Sequence, residues 1–412
     1  MKSKFLLAAL TAGLMLGAMS GSAFAADAKA PKISSSVLKS LSAAQTANNK
    51  KDYPAALAAL ADAKKVSDRT PYDDLMIDRF SMSVHVGMGD LDAADVDAEA
   101  AADTDPSVIP DADKSPVYRA ALQLALRAKH NDKAAKYAKL YEATTPPPPA
   151  SDMALIAQAL YLGGDYAGAA ALAQKNIDAA TAAGKTPERN DLDVVLAAQV
   201  KQKDEAGAEK TLETLVADYG QPEDWNQIDG VALTTKGMRD IDYVYMGRLM
   251  FLQAGKISPS DASLIGSTAS RLAFYGDSVQ AQKLGGTGFP DNTAKADADK
   301  KTMPAQIAAG SKQNGQYNVK LAEALYGYGM YPEAIAAAQL AKSKGGATDP
   351  TEADMVIGMA QTASGQYQAA VTTFAGINQP NPASARVVRL WGYFAKAKAN
   401  PTTAAAAPAP AQ

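Results

Sequence analysis

Apolar residues recur along this chain at helical spacing, and the helical runs come in pairs. Leu321, Ala324, Leu325 and Tyr328 mark one such stripe, at intervals of three, one and three residues. A short turn ends the run, and a second apolar run begins two residues later. The turn has a recurring form, G-x-Y-x-x-A, seen at residues 365–370 with Phe374 four positions further on. Looser copies read GMYPEAIAA, GDYAGAAAL and KDYPAALAAL.

Aligned on its first position, the form starts at Lys51, Gly89, His130, Gly164, Lys203, Gly276, Gly329 and Gly365. Successive spacings are 38, 41, 34, 39, 73, 53 and 36 residues. Ala stands five residues on in each copy: Ala56, Ala94, Ala135, Ala169, Ala208, Ala281, Ala334 and Ala370. A small residue stands seven before the start at Ala44, Ala157, Ala269, Ala322 and Gly358. Pro follows seventeen after it at Pro106, Pro147 and Pro382.

These residue types describe the elbow of a helix hairpin. Gly accepts the left-handed conformation in which a helix often ends. Asp165 then suits an N-cap, and Pro54 and Pro332 suit a first helical turn. Small residues on both helices let the backbones approach, and the Tyr fills the space at the turn. The late Pro stops the second helix. A fixed period near 34 residues is the signature of stacked helical units.

On these residues the chain resembles the tetratricopeptide repeat family. The resemblance is clearest at Gly358, Gly365, Tyr367, Ala370, Phe374 and Pro382. It implies an all-α fold, a right-handed superhelical solenoid of stacked hairpins. It further implies a concave face, lined by the first helix of each pair, that binds a peptide or protein segment. Outward positions of first helices are then the candidate partner-binding residues: Gln158, Tyr161, Glu323, Tyr326, Met355 and Met359.

The expected organisation has repeats over 33–145 and 151–220, degenerate repeats with an insertion over 221–310, and repeats plus a capping helix over 311–398. Within the degenerate region two helices are expected, near 222–234 and 241–254, with a further helix starting at Ser258. The insertion from Gly285 to Met303 reads as a loop, with a helix from Pro304. The segment 383–398, with Val387, Val388, Leu390, Trp391 and Phe394, reads as an amphipathic helix that covers the end of the array. Residues 144–150, TTPPPPA, read as a stiff spacer.

The first 25 residues have a basic start at Lys2 and Lys4, an apolar run, and Ala23-Phe24-Ala25. This is the pattern of a secretory signal peptide cut after Ala25. The expected location is therefore periplasmic, with no membrane anchor. The tail, 399–412, is Pro and Ala without large apolar residues and is expected to be disordered. There is no Cys, which removes disulfides, thiol nucleophiles and thiolate metal sites. Net charge is −3, so a nucleic-acid partner is not expected.

Candidate chemistry is sparse. His85 and His130 lie in different hairpins, outside any zinc spacing, and are expected to be structural or surface residues. No G-x-S-x-G occurs. Gly184-Lys185-Thr186 follows a helix, and position 179 is Ala where a phosphate loop needs Gly. Asp90, Asp92, Asp95, Asp97 and Glu99 follow no calcium loop and read as a solvated helix face. No enzyme activity, cofactor or metal is therefore expected. The expected function is a scaffold or adaptor for an envelope protein or peptide. The alternative is an accessory or enzymatic role in envelope or polysaccharide metabolism, with a ligand in the groove.

Overall fold

The computed structural model describes residues 31–253 and 257–400. The expected signal peptide, residues 1–25, and residues 401–412 of the tail lie outside them. Twenty α-helices and no strand occur among the described residues, grouped in two compact units that meet in sequence at Glu205 and Ala206.

The first unit holds α1 (Ser35–Asn49), α2 (Tyr53–Lys64), α3 (Pro71–Met88), α4 (Leu91–Ala102), α5 (Asp111–Arg127), α6 (Asn131–Glu142), α7 (Ala150–Leu162), α8 (Tyr166–Ala182) and α9 (Arg189–Gln202). Each helix packs on the next, and α1 also meets α3, as α7 meets α9. First helix against first helix is the contact that stacking of hairpins requires.

The elbows share one geometry. Lys51, Gly89, Lys129, Gly164, Lys203, Ala273, Gly329 and Gly365 all have φ between 58° and 85°. The next residue donates its N–H five residues back, as Asp52 to Ala47, Asp90 to His85 and Met330 to Leu325, each at 2.9 Å. This bond satisfies a carbonyl that the helix end would otherwise leave bare. Asp52, Asp90 and Asp165 add a side-chain cap to the N–H three residues on.

Two elbows are displaced from their expected positions. The left-handed residue is Lys129 rather than His130, and Ala273 rather than Gly276. Counting from them, the fifth residues are Ala134 and Ser278, not Ala135 and Ala281. Ala56, Ala94, Ala134, Ala169, Ser278, Ala334 and Ala370 are then all fully buried, while Ala208 is half-buried. Gly276 serves another need: a Cβ there would lie 2.3 Å from the carbonyl oxygen of Gly327. Lys51 holds a backbone conformation that costs an L-residue about 1 kcal/mol. Lys51→Gly is therefore expected to raise stability by about 0.5 kcal/mol, read from the midpoint of urea unfolding.

The second unit holds α10 (Glu205–Asp218, from Ala206), α11 (Pro222–Thr234), α12 (Asp240–Gln253), α13 (Pro259–Arg271), α14 (Tyr275–Lys283), α15 (Thr293–Gly310), α16 (Gly315–Gly327), α17 (Tyr331–Lys344), α18 (Thr351–Ala363), α19 (Tyr367–Ala375) and α20 (Pro382–Ala399). The expected helices α11 and α12 are present, and Ser258 caps α13 by accepting from the N–H of Asp261. The insertion is not a loop up to Pro304. Helix α15 starts at Thr293, runs through Pro304 and packs on α14, α16 and α17. Its Ala, Lys and Asp residues suit a surface helix, and only Ala296, Met303 and Gly310 are buried.

Helix α20 does more than cover the last hairpin. It packs on α19 and α18 and returns to α12. The indole of Trp391 donates to the carbonyl of Tyr245 at 3.0 Å, and the Ser384 hydroxyl donates to Asp242 at 2.7 Å. Arg386 pairs with Glu209 and with Glu213, and Arg389 also pairs with Glu213. Trp225 meets Phe394 edge-on, with centroids 5.9 Å apart. The second unit is thus closed on itself by its last helix.

Candidate functional site

The centre of the second unit is built on Arg248. Asp242, Tyr245 and Arg248 stand three apart on α12 and so share a face. The Arg248 guanidinium is buried. It donates from Nε and Nη2 to the two carboxylate oxygens of Asp277 on α14, both at 2.8 Å. It also donates to the Glu323 carbonyl at 2.9 Å and pairs with the Glu323 carboxylate. The Tyr245 hydroxyl donates to the other Glu323 oxygen at 2.5 Å. The Tyr326 ring covers the guanidinium at 4.4 Å. Burial, with Glu323 adding to it, pushes the Tyr245 hydroxyl well above its ordinary value, so it stays a donor. This cluster joins α12, α14 and α16, and its guanidinium, two carboxylates and Tyr245 hydroxyl bond to one another.

That arrangement corrects four candidate binding residues. Glu323, Tyr326, Met355 and Met359 are 0%, 6%, 3% and 0% exposed. Tyr245 and Arg248 of α12 cover Glu323 and Tyr326, and Met355 lines only a small cavity of about 10 Å³ with Tyr245, Val387 and Val388 of α12 and α20. Gln158 and Tyr161 on α7 remain half-buried, and Tyr161 stands edge-on to Tyr166 at 5.3 Å.

The same two positions can be followed through the first unit, six and three residues before each left-handed residue. They hold Gln45 and Asn48, Ser83 and Val86, Gln123 and Leu126, Gln158 and Tyr161, Ala197 and Val200. Of these only Gln123 is buried. None is charged, and Gln occurs at the first position in α1, α5 and α7. On α16 and α18 the corresponding residues Glu323, Tyr326, Met359 and Thr362 are all buried. Apart from buried Gln123, first helices therefore present an uncharged, partly exposed row in one unit, and a buried face on α16 and α18 in the other.

The acidic run at α4 is a solvated face only in part, with Asp90 and Asp92 exposed. Asp95 and Asp97 are buried. Asp97 meets His85 Nδ1 at 2.6 Å, and Asp95 meets His130 Nδ1 at 2.7 Å. Glu99 pairs with Lys133, and Asp103 pairs with Lys136 at 2.6 Å. Acids four apart on α4 thus meet bases three apart on α6, and both histidines are held in structural pairs. Burial raises the Asp97 carboxyl despite the opposing effect of His85.

A further signal lay in the sequence unread: Asp at the third position of first helices, at Asp73, Asp113, Asp152 and Asp191 in the first unit. Each is bonded to an earlier element. Asp73 accepts from the N–H of Ser34 at 2.8 Å, Asp113 pairs with Arg79 at 3.0 Å, and Asp191 accepts from Asn176 at 3.2 Å. Asp152 accepts from Arg119 and from the Tyr141 hydroxyl, both at 2.6 Å. Burial raises the Asp152 carboxyl, but the bonds from Arg119 and Tyr141 outweigh it and hold the group below its ordinary value. Asp152→Ala leaves the buried Tyr141 hydroxyl without an acceptor. It is expected to lower stability by about 2 kcal/mol, measured by urea unfolding.

Among the described residues no group of three or more His, Cys, Asp or Glu is placed to hold a metal, and no helix is long and apolar enough to cross a membrane. No family model matches the sequence, and no curated protein matches it. A search of solved structures finds a chain of the structure of Naa15/Naa10 bound to HypK-THB, at 10% identity and a TM-score of 0.25, covering 84% of this chain and 68% of that one.

Proposed function

We propose that this chain is a non-catalytic periplasmic scaffold with tetratricopeptide-like repeats, whose first unit holds an extended, uncharged segment of a partner protein. The uncharged row on α1, α3, α5, α7 and α9 carries this reading. A Gln or Asn side chain offers both a donor and an acceptor, as a peptide backbone does, and so can pair with an extended chain whatever its side chains. Half-buried Tyr161, Leu126 and Val86 add apolar contact beside those amides. The second unit supports the reading by contrast, since its own α20 lies where a partner would bind.

A photoreactive residue placed at Gln158 in cells tests the proposal, with Val96, exposed on α4, as the control. The expected result is a crosslink from Gln158 to one discrete segment of an envelope protein, absent from Val96. A synthetic peptide of that segment should bind the purified protein and bind Gln158→Arg at least about tenfold more weakly, a loss near 1.4 kcal/mol. Equal capture at both positions, or none at either, would overturn it.

A further inference from the structure

Four residues other than Gly hold the left-handed conformation among the described residues, and three of them are lysines: Lys51, Lys129 and Lys203, with φ of 60°, 61° and 58°. Gly takes this conformation freely and an L-residue does not. The elbows between them use Gly89 and Gly164. All three lysines are exposed. The ion pairs around them use other lysines, among them Lys64, Lys133, Lys136 and Lys139. The attraction of a helix C-terminus for cations does not explain them. Each of these elbows already has a cation at the end of its first helix, at Lys50, Arg127 and Lys201, without the left-handed backbone. Strain kept under an exposed charge points to use rather than to folding.

Hairpins of the first unit stack first helix on first helix, as α1 on α3 and α7 on α9, so their elbows line one edge. Residues 50–52, 127–130 and 201–204 put six cations on that edge against Asp52 and Asp204. Asp52 is engaged by the N–H of Ala55. The whole chain, by contrast, carries a net charge of −3. We propose that this edge docks an acidic segment of a partner protein, its carboxylates meeting Lys51, Lys129 and Lys203 in turn. Packed helices lie about 10 Å apart, which places these alternate elbows at intervals of about 20 Å. An extended chain covers that distance in about six residues, an even step that returns side chains to the same face. An anionic bilayer fits less well. The intervening elbows, 87–90 and 162–165, carry Asp90 and Asp165 and no cation. A continuous anionic sheet would meet those acids too, whereas a chain can pass them with neutral residues. The inference is independent of the uncharged segment proposed for the row.

The probe is a labelled poly-L-glutamate, which its own charge keeps extended, added to the chain without residues 1–25 and followed by fluorescence anisotropy. Lys51→Gly, Lys129→Gly and Lys203→Gly combined should weaken binding at least about tenfold. The same variant should raise the midpoint of urea unfolding, because the strain leaves with the charge. Lys39→Gln, Lys175→Gln and Lys185→Gln combined remove equal charge from exposed positions elsewhere on the unit and should leave the affinity close to that of the parent. Raising salt to about 0.15 M, where charges more than about 8 Å apart are screened, should weaken the parent more than the elbow variant. Vesicles rich in phosphatidylglycerol should capture no more of the parent than of the elbow variant. No binding of polyglutamate by the parent, equal affinities for parent and elbow variant, equal losses in the two triple variants, or capture by vesicles that depends on the elbow lysines would overturn the proposal.

Discussion

Arg248→Ala is expected to lower the stability of the second unit by about 3–5 kcal/mol, a large fraction of the stability of an ordinary domain. The substitution removes the shared partner of Asp277 and Glu323. It leaves two carboxylates buried with no countercharge, and the Tyr326 ring loses the cation it covers. Arg248→Lys is expected to recover little, because an ammonium cannot engage both oxygens of Asp277 and still reach Glu323. Replacing Arg248, Asp277 and Glu323 together with apolar residues of similar volume should restore much of the loss, since no charge is then stranded. Urea unfolding followed by Trp fluorescence reads this directly. Both tryptophans of the chain, Trp225 and Trp391, lie in the second unit.

Trp391→Ala should cost a similar amount, about 3–5 kcal/mol, for a different reason. The side chain is fully buried, stacks at 6.0 Å from Phe374 and donates to the Tyr245 carbonyl. Its removal opens a cavity at the seam between α20 and α12 and leaves that carbonyl with its helical bond alone. Trp391→Phe keeps most of the volume and loses the hydrogen bond, so a loss of about 1–2 kcal/mol is expected. The remaining tryptophan, Trp225, reports both transitions through its contact with Phe394. A loss under about 0.5 kcal/mol for Trp391→Ala, the range of ordinary surface changes, would place Trp391 outside the core.

The hairpins were legible in the sequence because an elbow is local. Left-handed Gly, N-cap Asp and buried Ala lie within six residues of one another, so one short pattern records all three. The pattern failed by one residue at Lys129 and by three at Ala273, where a non-Gly residue takes the left-handed conformation and a nearby His or Gly drew the alignment. The first part of helix α15, residues 293–303, was hidden because Met303 is its one large apolar residue, and a run without an apolar stripe reads as loop.

The candidate site was far less legible. Whether Glu323 or Gln158 faces solvent is not decided by its own helix, where both occupy the same position before the elbow. It is decided by α12 and α20, and α20 is brought over α12 from 146 residues away between Trp391 and Tyr245. The pairs on α4 and α6 are hidden in the same way, since Asp95 and His130 stand 35 apart. Sequence spacing shows which residues share a helical face. It does not show which face another helix will cover.

Hydrogen exchange read by mass spectrometry on the intact chain tests the central claim, that the second unit is closed through its last helix. Amides of α20 and of α12 are predicted to exchange only with global unfolding of that unit, at one common rate, and Trp391→Ala should speed both together. Rapid exchange over residues 382–399 while α12 and α16 stay protected would contradict the account. The last helix would then be a detachable cap, and the face of α18 that it covers would be open to a partner.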